Sequence, residues 1–318
     1  MRSLKKMTWL AMFLILTAAC KKEDAPTNPT TDDGRYQNLV FNNVDNQSNV
    51  VYGNSTTQGG VNEDLLMDIY TPQGDVATNR PLIILAHGGG FFVGEKESMS
   101  DLATFFARSG YVAVSLKYRL VDVEPSPAIM KKGVIDAVHD MRAAIRFFRK
   151  DLATNNNYKI DDNNIFVGGY SAGGFMGLHT AYLNSMAEIN EIGGEELSNY
   201  VTASGGLEGN SGNAGYSSSV KGAISLAGAL VYANLINAGE PVLYSFHGTS
   251  DSVVPYTSGD ADGSGVITEG PSLYHPVAEA LGIKNRLYSV DGGEHDVFWS
   301  TEGAYEDLRQ FIYSNLDQ

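Results

Sequence analysis

The chain has 318 residues, 43% hydrophobic and 19% charged, which is enough apolar material for one large domain or two small ones. Its 37 acidic residues against 22 basic ones give a formal charge of −15, which argues against the basic surface that a nucleic-acid partner requires. A single cysteine excludes an intramolecular disulfide.

In chain order, Arg2, Lys5 and Lys6 precede an apolar stretch at residues 7–16, too short to span a bilayer. Thr17-Ala18-Ala19-Cys20 follows and resembles a bacterial lipobox, in which the cysteine is lipidated and becomes the new N-terminus. Lys21-Lys22-Glu23-Asp24 is similar to the charged tract of surface-exported lipoproteins of the Bacteroidetes type. Cleavage before Cys20 removes three of the 22 basic residues and leaves 19 against 37 acidic ones, a charge of −18. The Pro-, Thr-, Asn- and Asp-rich stretch that follows reads as a solvated tether. The expected organisation is a signal peptide at 1–19, a flexible tether at 20–35 and one catalytic domain at 36–318. The expected setting is the bacterial cell envelope, with the membrane touched only through a lipid on Cys20.

Beyond the tether, apolar runs at residues 65–70, 81–86, 111–116, 165–168, 222–226, 242–246 and 286–290 read as strands. Several are continuously apolar, as strands buried on both faces are. Between them, Val134, Val138, Met141, Ile145 and Phe148 step by four and three along one helical face, and further helices begin near Ser100, Ser171 and Ala304. This alternation predicts an α/β domain with a mostly parallel central sheet flanked by helices. Residues 193–219, rich in Gly, Ser and Asn, read as a long surface loop.

The strand at 165–168 runs directly into Gly169-Tyr170-Ser171-Ala172-Gly173. Glycines on both sides of a serine suit a sharp strand-to-helix turn that projects the hydroxyl and aims a helix N-terminus at what it attacks. A serine hydroxyl needs an imidazole to take its proton, and the imidazole needs a carboxylate to fix its tautomer. Asp251 and His295 each follow a predicted strand, so both emerge at the sheet edge that carries Ser171. His87-Gly88-Gly89-Gly90 follows the strand at 81–86, where glycine lets main-chain amides approach a reacting carbonyl. The amides of Gly89, Gly90 and Ala172 are the candidate oxyanion donors, and Ser171, Asp251 and His295 the candidate triad. The mechanism calls for no cofactor.

These residues, with Phe91-Phe92-Val93-Gly94, Tyr118-Arg119 and the helix at 130–149, resemble the α/β-hydrolase superfamily from about Glu63 onward. Within it they are similar to the carboxylesterase and hormone-sensitive-lipase-like branch, including bacterial polysaccharide-associated acetyl and feruloyl esterases. The resemblance implies an α/β-hydrolase fold and a serine carboxylesterase acting on small-molecule or polysaccharide-borne esters. It also supports Gly89 and Gly90 as the oxyanion pair. Residues 228–240 are too short for the substantial lid of many lipases, so an open site and short-acyl or carbohydrate-linked esters are expected, unless 193–219 or 256–276 cover it. The alternatives are a prolyl-oligopeptidase-like serine peptidase and an inactive hydrolase fold used as a surface binding module.

The other histidines take structural roles in this reading: His87 braces its loop, His247 bonds locally, His139 and His179 sit in helices, and His275 lies in a loop. Residues 260–265 begin like a calcium loop, but Pro271 stands where a bidentate glutamate is needed, so no metal is expected.

Overall fold

The computed structural model describes residues 34–317; the expected signal segment, Cys20 and the tether up to residue 33 lie outside them. The domain engages one residue earlier than composition indicated. Arg35 is buried, ion-paired with Asp75 at 2.8 Å and packed over the Phe41 ring.

The elements run β1 (Val44–Thr56), β2 (Asn62–Pro72), β3 (Arg80–Ala86), α1 (Ser100–Arg108), β4 (Val112–Leu116), α2 (Pro127–Thr154), β5 (Ile160–Tyr170), α3 (Ala172–Tyr182) and α4 (Met186–Ala203). Then come β6 (Gly222–Leu226), β7 (Val242–Gly248), the short pair β8 (Ser258–Asp260) and β9 (Ile267–Glu269), α5 (Pro271–Ala280), β10 (Asn285–Val290), α6 (Val297–Ser300) and α7 (Ala304–Ser314). Eight strands form one sheet in the order β1-β2-β4-β3-β5-β6-β7-β10. β1 and β2 pair antiparallel, β2 meets β4 antiparallel, and every other pairing is parallel.

The central strands β3, β4 and β6 are buried along their whole length because both faces are covered, whereas β10 at the sheet edge is half-exposed. Side chains alternate between a layer shared with α2 and α3 (Ile165, Val167) and one shared with α1 and α7 (Phe166). β1 escapes sequence reading for the opposite reason: at the sheet edge it is mostly exposed, so its residues are polar and carry no apolar period. Strand order reverses between β3 and β5, and at such a switch point the carboxyl ends of the strands open a crevice.

Two readings need correction. Residues 193–203 are not loop but the second part of α4, which a capping box at Ser185 and Glu188 opens. Gly194 breaks the helix with φ 65°, and this break scrambles the spacing of Ile189, Ile192, Leu197 and Val201 that would have betrayed it. The irregular remainder is anchored, with Arg146 donating to the carbonyls of Glu208 and Gly212 and buried Ser211 donating to Asp140. His275 lies not in a loop but in α5, which Pro271 opens from its first turn.

Candidate active site

Ser171 sits between β5 and α3 with φ 53° and ψ −114°, a conformation that non-glycine residues rarely hold. Its amide donates to the Leu226 carbonyl of β6, and its carbonyl accepts from Gly174 and Phe175, so the surroundings fix the turn. The flanking glycines are needed for space. A Cβ on Gly169 or Gly173 would fall 1.9 or 2.0 Å from the Ala86 carbonyl oxygen of β3.

The loops after β7 and β10 interlock, with the amides of Thr249 and Ser250 donating to the carbonyls of Val290 and Gly293. This contact brings Asp251 to His295. The Nδ1–H of His295 donates to Oδ2 of Asp251 at 2.7 Å, and its Nε2 stands 2.8 Å from Oγ of Ser171. The three side chains proposed from sequence therefore form one hydrogen-bonded line.

The Asp251 side chain is fully buried. Burial would raise its pKa, but hydrogen bonds from His247, His295 and the Val254 amide hold it well below the ordinary carboxylate range. Its other oxygen accepts from the amides of Val253 and Val254 at 2.9 and 2.8 Å. His247 is the contact that sequence reading undervalued: its Nε2–H, bonded to the Val254 carbonyl at 2.9 Å, also lies 3.1 Å from Oδ2 of Asp251. The Phe246-His247-Gly248 strand end, four residues before the acid, was the available signal.

The glycine loop after β3 touches the nucleophile, since a Cβ on Gly88 would come 3.1 Å from the Ser171 Cβ. Gly89 (φ 114°) and Gly90 (φ 60°) turn the chain back, and the Gly89 carbonyl accepts from Phe92 and Val93. Ala172 is the first residue of α3, where an amide has no intrahelical acceptor. His87 keeps away from the serine. Its Nδ1–H donates to the Gly88 carbonyl and its ring stacks on Tyr118, whose hydroxyl donates to the His87 carbonyl. The next residue, Arg119, is bonded to Asp140 of α2 in a buried bidentate pair. The glycine loop is thereby tied to the longest helix.

A cavity of about 410 Å³ opens from Ser171, Ala172 and Gly90 and runs between α2 and α3. Its walls are mainly apolar, with Phe175, Met130, Val134, Leu183, Ile192 and Val231 among them. Its roof is supplied by residues 261–268, the turn and second strand of the β8–β9 hairpin. The open site expected from the thin 228–240 segment is therefore corrected: there is no large lid, but a small hairpin covers the cavity. The hairpin is held by pairing of Leu230 with Glu269 and by the Asp262 amide on the Val253 carbonyl. It places the exposed Asp262 carboxylate beside Gly90, where a Cβ would meet Oδ2 at 3.2 Å. Among the described residues, no group of three or more His, Cys, Asp or Glu is arranged to hold a metal. The Asp260 carboxylate in the calcium-like stretch instead accepts from the Gly265 amide.

The whole architecture is similar to that of Thermogutta terrifontis esterase 2, a thermophilic esterase from a Planctomycetes species. Its tabun-phosphoramylated form is 20% identical, covering 85% of this chain and 94% of that one, with a TM-score of 0.63. Its butyrate-bound form, also 20% identical, covers 84% and 93% with a TM-score of 0.62. This chain has the α/β-hydrolase fold. The family model described as BD-FAE matches residues 67–208 of this chain, a span that includes the glycine loop and Ser171. Among curated proteins this chain is 38% identical over 100 residues to "Probable carboxylesterase 6" of Arabidopsis thaliana, or 30% of this chain and 27% of that protein. It is 30% identical over 127 residues to a non-reducing polyketide synthase of Stereocaulon alpinum, or 37% of this chain and 5% of that protein. The chain thus matches only a small part of the length of these two relatives.

Proposed function

We propose that the chain is a serine carboxylic ester hydrolase that works through an acyl-enzyme. His295 takes the Ser171 proton on Nε2 as Oγ attacks the ester carbonyl, while Asp251 stabilises the imidazolium that forms. The developing oxyanion is met by the amides of Gly89, Gly90 and Ala172, each such donor being worth roughly 3–4 kcal/mol of barrier. His295 then hands its proton to the departing alkoxide. Water discharges the acyl group by the same steps in reverse order of roles, and the chemistry needs no bound cofactor. The observation that carries this reading is the unbroken line Asp251–His295–Ser171, at 2.7 and 2.8 Å, at the mouth of an apolar cavity.

On the other side of the serine, His295 lies against Tyr170, which meets the exposed Trp299 edge-on at 5.4 Å. The leaving alcohol must reach His295 to be protonated, so it departs past this aromatic rim, where a carbohydrate-linked alcohol finds both solvent and flat apolar faces. The reading includes export and a lipid on Cys20. It is tested by replacing Ser171 with alanine, together with a fluorophosphonate probe. Turnover and stoichiometric labelling of wild type must both disappear in the variant; turnover that survives with Ser171 absent would falsify the reading.

A further inference from the structure

The cavity has a length as well as a volume. Along α3 its wall is formed by Ala172, Phe175 and His179, three and four residues apart on one face, and continues to Leu183 just past the helix end. Eleven residues at about 1.5 Å each place its far end roughly 16 Å from the Ser171 end. The cavity is therefore elongated along α3. A saturated chain advances about 1.3 Å per methylene, from carbon–carbon bonds of about 1.5 Å at tetrahedral angles.

The Asp262 carboxylate stands at the mouth of this trough beside Gly90, whereas the polar side chains along α2 and α3 are engaged elsewhere. His179 donates from Nδ1 to the Phe175 carbonyl and accepts on Nε2 from the Val231 amide, so it presents no free donor. The Lys131 ammonium is bonded to the Ile192 carbonyl at 2.7 Å. Neither His295, Tyr170 nor Trp299 lines the trough. It therefore lies on the side of the serine away from the leaving alcohol, where the acyl group must sit.

We propose that the substrate is an ester of an unbranched saturated acyl chain of about eight to twelve carbons, laid along α3 beneath the β8–β9 hairpin. This rests on the esterase reading and narrows it, against the short-acyl expectation. An acetyl methyl would reach only the Ser171 end and leave most of the apolar wall uncovered. Each methylene added within the trough raises kcat/KM about four-fold, the usual worth of its transfer from water, and the gain stops where the wall ends.

The test is kcat/KM of the purified chain on nitrophenyl esters from acetate to palmitate, below their micelle concentrations, with nitrophenyl cinnamate as an aromatic comparison. We expect a rise of at least a hundred-fold from acetate to a maximum at C8–C12, then a fall. In Ile192→Phe, which shortens the far end, the decanoate-to-butanoate ratio should drop at least ten-fold; Val134→Phe serves the same purpose if that variant does not fold. A maximum at acetate or butanoate, a cinnamate preference above ten-fold over octanoate, or an unmoved optimum in a folded variant would each overturn the proposal. Those outcomes leave the esterase reading standing, because that reading fails only if turnover is independent of Ser171.

Discussion

At the scale of single residues, the site depends on groups whose chemistry the sequence names and on one contact it does not. Ser171, Asp251 and His295 are legible because a glycine-flanked serine after an apolar run and two polar loops after later strands occur in the required order. His247 is less legible, since a histidine at a strand end is ordinarily a local packing group. Only the turn at Gly248 to Val254 brings its Nε2 to 3.1 Å from Asp251. A hydrogen bond to a charged group is worth about 1.5–3 kcal/mol. His247→Leu should therefore lower kcat about ten-fold or more with KM changed less than two-fold. With one donor gone, the Asp251 carboxylate holds the His295 proton more strongly, so the acid limb of the kcat/KM profile should move to higher pH. Steady-state kinetics across pH checks this, and an unchanged limb with normal kcat would assign His247 to packing alone.

At the scale of elements, three helices each bury a neutral histidine. Burial depresses His139 of α2 to about 3, and His179 of α3 and His275 of α5 each to about 4. Because the unfolded chain binds these protons near pH 6.5 and the folded chain does not, their stabilisation is full above 6.5 and is lost as pH falls toward 4. Asp136 of α2 acts in the opposite sense: burial raises it to about 6, so its folded form gains a proton first as pH falls. With His87 also lowered, and Glu63 and Glu240 raised alongside Asp136, the histidines dominate between pH 7 and pH 5, so stability should fall as pH drops through that range. Urea unfolding at pH 7 and pH 5 measures it, and His275→Gln should reduce the slope by about 1.4 kcal/mol per unit. Equal stability at the two pH values would contradict the burial of these rings. The same scale explains the elements that sequence reading missed. Strand β1 hides behind its exposed polar residues, α4 behind the break at Gly194, and α5 behind a proline that opens a helix as readily as it marks a loop.

At the scale of the whole molecule, the alternating strands and helices made the parallel sheet legible, because burial on both faces forces continuous apolar runs. The roof over the cavity was not legible, because a three-residue strand pair carries too little pattern to read. The proposed acyl length accordingly rests on the cavity and not on the motifs. Among the described residues no helix is long and apolar enough to cross a membrane; the lipid on Cys20 is a proposal with its own test. Wild-type protein expressed in a bacterial host with lipoprotein processing should fractionate with membranes, and Cys20→Ala should appear in the soluble fraction. A variant that stays membrane-bound would remove the lipid anchor from the account.

The central claim is that Ser171 carries the acyl group, and the most direct measurement is kcat/KM of folded Ser171→Ala on the best ester substrate. Loss of a triad serine costs about six orders of magnitude in turnover. The account predicts a fall of that order with circular dichroism and Tm unchanged. Activity within a hundred-fold of wild type would contradict it.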